Sequence, residues 1–217
     1  MSNREIINGV APPVLPSPSR VYNARYADSL NNILRLFFRQ LANSVNLLTG
    51  RNGARFIESP NGLFFDTGDQ AIAAVNVAQP VRFNQTYLNN GVVINGATTS
   101  EITVTYSGIY NFQFTGQLRS TSGSSKVVFV WLRRNGTNVG YSAREYSVLG
   151  SGKELEINWS FNIDLQAEQY IQIMIAADST DLQLDTVAPT SPHPGISSAV
   201  VAVSFVSALP AILPVLP

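Results

Sequence analysis

The chain has 217 residues, no net charge at neutral pH and no cysteine; 45% of its residues are hydrophobic and only 13% are charged. Zero net charge removes the electrostatic footprint of a nucleic-acid binder. The missing cysteine excludes disulfides, thiolate metal sites and a cysteine nucleophile. The N-terminal stretch MSNREIINGVAPP lacks the apolar core of a signal peptide. The longest apolar runs, such as VVFVWL at 127–132, are too short to cross a bilayer. The expectation is a soluble, non-secreted product of a cytoplasm, without membrane insertion.

Residues 8–19, NGVAPPVLPSPS, hold four prolines and exclude a helix or a central strand. Extended backbone follows, either as a tail or as an arm lying on a partner through Val10, Val14 and Leu15. The segment 1–24 is therefore read as an anchoring arm.

Residues 25–48, RYADSLNNILRLFFRQLANSVNLL, carry helical spacing. Leu30, Leu34, Phe37, Leu41 and Leu48 fall at alternating steps of four and three, with Ser44 in the one polar place. Ile33, Phe38, Val45 and Leu47 widen the stripe beyond what a solitary exposed helix needs. The stripe covers about three heptads, short for a coiled coil alone. The helix packs either on its own domain or between copies of the chain, and the second reading is preferred, with Leu30, Leu34, Phe37 and Leu41 in the contact. Gly50, Asn52 and Gly53 end it, giving an oligomerisation helix over 25–50 and a linker over 51–62.

From residue 63 to 207 the period becomes two. Strands are expected at Leu63–Phe65, Val81–Phe83, Val92–Ile94, Glu101–Thr105, Gly108–Leu118, Lys126–Arg133, Thr137–Arg144, Lys153–Leu165, Tyr170–Ala177, Leu182–Leu184 and Ser198–Val206. Asn135-Gly136 between two such runs is a two-residue hairpin signal. In YSGIYNFQFTGQL (106–118), Tyr110, Phe112 and Phe114 alternate with Ile109, Asn111 and Gln113. Many short strands without intervening helices imply an all-β antiparallel sandwich. The segment 208–217 closes as an apolar, proline-rich tail that packs on its own assembly or on a neighbour.

Chemistry-bearing motifs are few. Asp66-Thr67-Gly68 matches the aspartic-protease tripeptide, but that chemistry needs a second carboxylate and no second copy exists; a turn explains it. His193, the one histidine, sits in SPHPG without a nucleophile elbow anywhere in the chain. Asp178, Asp181 and Asp185 offer hard oxygen ligands for calcium without EF-hand spacing, and solvated loop carboxylates are the simpler reading. Arg119, Lys126, Arg133, Arg134 and Arg144 make a modest basic cluster, either a solvated face or a dock for an acidic patch. Tyr87, Tyr141, Tyr146, Trp131 and Trp159 are candidates for stacking on sugars, although core positions are preferred for both tryptophans. No cofactor is expected, and no enzyme activity.

The ordered series VRFNQTYLNNGVVI (81–94), EITVTYSGIYNFQF (101–114), VVFVWLRRNGTNV (127–139), DLQAEQYIQIMI (164–175) and AVVAVSFVS (199–207) resembles the C1q/tumour-necrosis-factor jelly roll. It departs from the family pattern at Ala167, where glycine is usual. The resemblance spans about 145 residues and implies a jelly roll that assembles as a homotrimer and recognises partners without catalysis. It assigns Tyr110, Phe112 and Phe114 to the β-core and the trimer seam. The whole chain is also similar to small virion proteins of tailed, cyanophage-like phages of marine and freshwater bacteria. They share its proline-rich start, a helix like YADSLNNILRLFFRQLANSV, a link like FIESPNGLFFDTGDQAIAAVN and a turn like TSPHPGISSAV. That resemblance implies a homotrimeric structural protein of the virion, either a head decoration or fibre or a tail or fibre component. Its partners would be other virion proteins. A host-surface carbohydrate-binding module is the alternative.

Overall fold

The structure, a computed structural model, describes residues 11–17, 21–49 and 59–209, and of 47–49 the backbone alone. Two units divide the chain, Met1–Glu58 and Ser59–Pro217. In the first, the helix α1 runs from Ala24 to Thr49, within one residue of the expected bounds at each end. Asn23 caps it: its Oδ1 accepts from the backbone N–H of Arg25 at 3.0 Å and of Tyr26 at 3.4 Å. No acidic residue lies in the first turn and no basic residue in the last. The cap rather than complementary charge therefore sets the start of the helix.

The second unit is an antiparallel β-sandwich of jelly-roll type. Its strands, in chain order, are β1 (Asn61–Asp66), β2 (Gln70–Ala71), β3 (Gln79–Pro80), β4 (Gln85–Asn90), β5 (Val92–Ile94), β6 (Ile102–Val104) and β7 (Gly108–Ser120), then β8 (Ser125–Arg134), β9 (Thr137–Asn138), β10 (Arg144–Leu149), β11 (Glu154–Leu165), β12 (Tyr170–Ala177), β13 (Leu182–Leu184) and β14 (Ala199–Ser207). One sheet is ordered β11-β7-β14-β1-β4, with β13 and β2 continuing along the edge of β7 beyond β14. The other is ordered β10-β8-β12-β6-β5, with β9 on β8 and β3 on β12. The chain passes between sheets at β2–β3, β3–β4, β4–β5, β6–β7, β7–β8, β10–β11, β11–β12 and β12–β13, the back-and-forth winding of a jelly roll.

The strand β7 organises the first sheet. One edge pairs with β11 along its length, from Gly108↔Leu165 to Arg119↔Glu154. The other pairs with β14 and then with β13. Its inward residues Tyr110, Phe112, Phe114 and Leu118 are buried at 0–1% exposure and face Val128, Val130 and Leu132 among the core of the other sheet. Asn135 and Gly136 form the expected two-residue turn. Their φ values of 46° and 81° are the pair of positive angles that a type I′ hairpin needs, and Arg134 pairs with Thr137 across it.

Two expected elements differ, and strands β2, β3, β4 and β10 were not among those expected. Val81–Phe83 is no strand; β3 lies just before it. The backbone donors there go to separate places: Val81 to Ile173 of β12, Phe83 to Thr99 in a loop, and Arg82 to the side chain of Gln70. Thr137–Arg144 is interrupted between β9 and β10, because buried Ser142 takes the Leu132 backbone N–H with its Oγ at 3.1 Å. The edge strand β4 was not expected; its residues are almost all exposed, so no alternation marks it.

Two glutamines replace missing ladder at the end of the sandwich. The Gln70 amide accepts from Arg82 N at 2.8 Å and donates to Arg82 O at 3.0 Å. Gln79 answers by accepting from Ala73 N at 2.9 Å and donating to Ala71 O at 2.8 Å. Gln70 is 4% exposed and joins β2 of one sheet to the stretch just after β3 of the other. Gln70→Ala leaves both Arg82 groups without their partner, and we expect it to cost about 2 kcal/mol, read by urea unfolding. An unchanged midpoint would show that the amide zipper contributes nothing.

Candidate interaction surfaces

The apolar stripe on α1 is open to a partner along much of its described length. None of the described α1 side chains is buried. Leu30, Ile33, Leu34 and Phe37 are half-buried along one face, and Leu41 is 38% exposed. Phe38, beside Phe37 at a ring-centroid distance of 5.6 Å, is 60% exposed. Of the arm residues, Val10 and the linker positions 51–58 lie outside the described residues; Val14 and Leu15 are exposed.

Tyr110, Phe112 and Phe114 belong wholly to the core of their own sandwich. No surface of these rings remains for a neighbour, so their assignment to a trimer seam is corrected. The Tyr110 hydroxyl donates to the Tyr106 carbonyl at 2.7 Å, and its ring meets Phe205 edge-on. Burial, with a smaller contribution from Tyr106, pushes its phenol above the usual range.

The outward face of the same sheet offers what those rings do not. Over β7 and β11 it is a ladder of amides and hydroxyls. Asn111 Nδ2 donates to Asn162 Oδ1 at 2.6 Å, Thr115 Oγ1 to Asn158 Oδ1 at 2.9 Å, and Gln117 Nε2 to Glu154 Oε2 at 3.2 Å. Over β14, β1 and β4 it turns aliphatic. Val200, Ala202, Leu63 and Phe65 are half-buried there, and Leu88 on the edge is 47% exposed.

The outward face of the other sheet carries Val127, Phe129 and Trp131 on β8. Trp131 is half-exposed there, not in the core, and its Nε1 is held by Asn138 Oδ1 at 2.8 Å. The cross-strand neighbour Met174 is fully buried on this outer side, paired with Trp131 on β8 and Pro80 on β3. Tyr141, with φ 58°, stands fully exposed on the loop that Ser142 anchors to Leu132. Of the other stacking candidates, Trp159 is buried and Tyr146 turns inward to donate its hydroxyl to Asn158 O at 3.1 Å. Tyr87 lies on β4 of the opposite sheet, 72% exposed.

The candidate chemical groups do not converge. The Asp185 carboxylate is buried against Arg119 at 3.3 Å and also accepts from Gln183, while Asp178 accepts from Val127 N at 2.9 Å. Asp181 N–H donates to Ser179 Oγ at 3.1 Å and its carbonyl accepts from Thr121. These three therefore form no ligand set, and among the described residues no three acidic or histidine side chains lie close enough to hold a metal. The basic cluster also disperses. Lys126 is 1% exposed, its Nζ donating to the Ser122 and Ser124 carbonyls, and Arg134 pairs with Asp164 at 3.5 Å. Asp66 closes a turn by accepting from Gly68 N at 2.7 Å. His193 sits exposed at the tip of a hairpin bridged at Val187↔Ile196, its Nδ1 3.0 Å from the Pro194 carbonyl.

The chain is similar to the globular domains of C1q and tumour necrosis factor. The globular domain of zebrafish complement 1qA is 15% identical over 70% of this chain and 100% of its own, with a TM-score of 0.45. The Eiger TNF of S. frugiperda is 8% identical over 73% of this chain and 99% of its own, with a TM-score of 0.46. No family model and no curated protein matches the sequence. The jelly-roll assignment rests on the strand order and register described above.

A surface link near the hairpin is pH-sensitive. Asp69 Oδ1 accepts from Thr186 Oγ1 at 2.7 Å and from Thr186 N at 2.8 Å. These bonds, the side-chain one foremost, hold the Asp69 carboxyl below its ordinary 3.8 despite some opposing burial. A carboxylate whose folded pKa is depressed contributes stability above its unfolded pKa and loses it as pH falls through the folded value. Wild type should therefore lose more stability than Asp69→Asn between about pH 5 and pH 2, measured by urea unfolding. Parallel pH profiles would remove Asp69 from the account.

Proposed function

We propose that the chain is a non-enzymatic, self-associating structural protein of a phage virion. In this reading it is a homotrimer whose N-terminal arm and helix anchor it, while the jelly roll is displayed or cements the lattice. The observation that carries self-association is α1: a long apolar stripe whose side chains, so far as described, nowhere reach burial. Three such helices burying Leu30, Leu34, Phe37 and Leu41 remove that surface from water. A second contact is available on the outward aliphatic area of Leu63, Phe65, Val200 and Ala202, and each contact raises the effective concentration of the other. The virion assignment rests on the sequence layout, from the proline-rich arm to the TSPHPGISSAV turn. Electron microscopy of particles carrying a tagged chain distinguishes head from tail. Loss of incorporation on removing residues 1–24 supports anchoring by the arm, and full incorporation without them refutes it.

A host-glycan-binding module is the second reading, favoured by one observation. Phe129 and Trp131 stand on an outward sheet face, and Tyr141 is wholly solvent-exposed with its backbone in the left-handed region. Exposed aromatic faces of this kind stack on sugars. A glycan array on the assembled protein decides it: binding lost on Trp131→Ala supports the module, and absence of any binding removes it.

A further inference from the structure

At one corner of the sandwich the end of β11 meets the start of β7 and the residue after β9. The stretch FNID, 161–164, alternates along β11. Phe161 and Ile163 have the parity of the core, and Asn162 and Asp164 that of the outward face. On β7, Ile109 lies opposite Asp164 and Asn111 opposite Asn162. In the second sheet β10 begins only at Arg144, and the loop residue Val139 lines this corner instead. A slot of about 390 Å³ remains. Its walls are Ile109, Val139, Phe161 and Ile163, and its polar groups come from Arg134, Asn162 and Asp164. Apolar walls with a few placed polar groups are the usual make-up of a ligand site, and such sites start at about 300 Å³.

The polar groups are held in place and only partly used. Arg134 Nη1 donates to the Asp164 carbonyl at 3.1 Å and lies 3.5 Å from Asp164 Oδ2. Its Nε and Nη2, and Asp164 Oδ1, make no hydrogen bond among the described residues. Asn162 Oδ1 accepts from Asn111 at 2.6 Å, which fixes the amide and leaves its Nδ2 without an acceptor there. Asn162 and Asp164 are exposed and Arg134 is half-buried, so a ligand reaches all three.

This set of groups selects its ligand. The charges of Arg134 and Asp164 offset each other, so a neutral occupant is favoured over an ion. What they leave is a fork of donors beside an acceptor. A hydroxyl both donates and accepts. Two adjacent hydroxyls therefore satisfy the Arg134 donors and Asp164 Oδ1 together, and a third takes the Asn162 N–H. Half-buried Phe161 supplies an aromatic wall for an apolar C–H face. A neutral molecule with adjacent hydroxyls and one apolar face is a sugar ring, and a slot near the lower size limit takes one ring rather than a chain.

We propose that this slot binds the terminal ring of a neutral glycan, its apolar face on Phe161 and its adjacent hydroxyls on Asp164 and Arg134. The ligand class rests on the glycan-binding reading above; the site is separate from the Trp131 face. Because Asn111 and the Asp164 carbonyl already position the polar groups, binding orders little that is not ordered beforehand.

A glycan array on four chains tests it: wild type, Trp131→Ala, Asp164→Ala and Val139→Trp, each first shown by thermal melting to be folded. Wild type should capture glycans that end in a neutral hexose. Asp164→Ala should weaken that capture about tenfold, the loss of one net hydrogen bond. Val139→Trp fills the slot without touching its polar groups and should abolish capture. Titration of wild type with the methyl glycoside of the captured terminal sugar should shift the Asn162 side-chain amide in nuclear magnetic resonance spectra, and an unmoved amide overturns the slot. Capture lost with Trp131→Ala but untouched by both slot variants overturns the slot and leaves the glycan reading standing. Capture of acidic glycans alone overturns the neutral ligand. Absence of any capture removes the slot and the glycan reading together.

Discussion

Leu34→Asp combined with Phe37→Asp will abolish self-association and leave a monomer of 23.5 kDa at concentrations where the wild-type chain sediments as a multimer. Both residues sit in the centre of the α1 stripe, a step of three apart, on the face they share with Leu30 and Leu41. Burying a leucine or phenylalanine against partner helices contributes about 1.5–3 kcal/mol each. The carboxylates both forfeit that gain and resist burial. Three chains each carry the two changes, so a weakening of association by at least about a thousandfold follows from these magnitudes. Helical content should fall as well, because a helix of this length owes most of its stability to packing. Analytical ultracentrifugation over a hundredfold concentration range, with far-ultraviolet dichroism alongside, checks both. The same changes at exposed Asn31 and Gln40 should leave mass and helicity alone. A wild-type chain that is already monomeric would sink the oligomerisation reading of α1, whatever the variants do.

The sequence disclosed most of this architecture because its signals are periodic. The helix stands out through steps of three and four, the β8–β9 hairpin through Asn135-Gly136, and β7 through alternating rings and amides. What stayed hidden has one common cause: period two separates the faces of a strand without saying which faces inward. In KVVFVWL, residues 126–132, both faces are apolar apart from Lys126. The lysine suggests that its own parity faces water. The register is the reverse. Lys126, Val128, Val130 and Leu132 are buried, and Val127, Phe129 and Trp131 face out. The lysine is tolerated inside because backbone carbonyls of the Ser122–Ser124 turn receive its protons. Its proximity to Arg133 and Arg134 in sequence therefore implied a place on a basic surface that Lys126 does not take. Gln70 and Gln79 were equally illegible. Their role is to complete another segment's ladder, which depends on where residues 71–73 and 82 arrive in space. The aspartates failed as a site for the same reason: the carboxylates of Asp185 and Asp178 are taken separately by Arg119 and by Val127 N, and Asp181 is bonded through its backbone.

Phe112→Ala will destabilise the jelly roll by about 3–5 kcal/mol without changing the number of chains in the assembly. Phe112 is fully buried, pairs across β7 with Val203 on one side and Phe161 on the other, and belongs to the continuous core of both sheets. A large ring removed from the middle of the most heavily paired strand leaves a cavity that flanking β-ladders prevent from collapsing. For a domain of this size the loss corresponds to a melting point lower by about 8–15 °C. Phe112→Leu keeps most of the volume and should cost about 1 kcal/mol. The contrast with α1 gives the experiment its force. A core residue changes unfolding free energy in proportion to the atoms removed, and the native assembly keeps its mass until it melts. A seam residue changes mass and makes the melting point depend on concentration. If Phe112→Ala retained its melting point but dissociated on dilution, the ring would be serving a neighbouring chain, and the interior position assigned to it would be wrong. The expected result is a lower melting point at unchanged mass, with the outward residues Phe65 and Val200 carrying whatever contact the sheet makes with another copy.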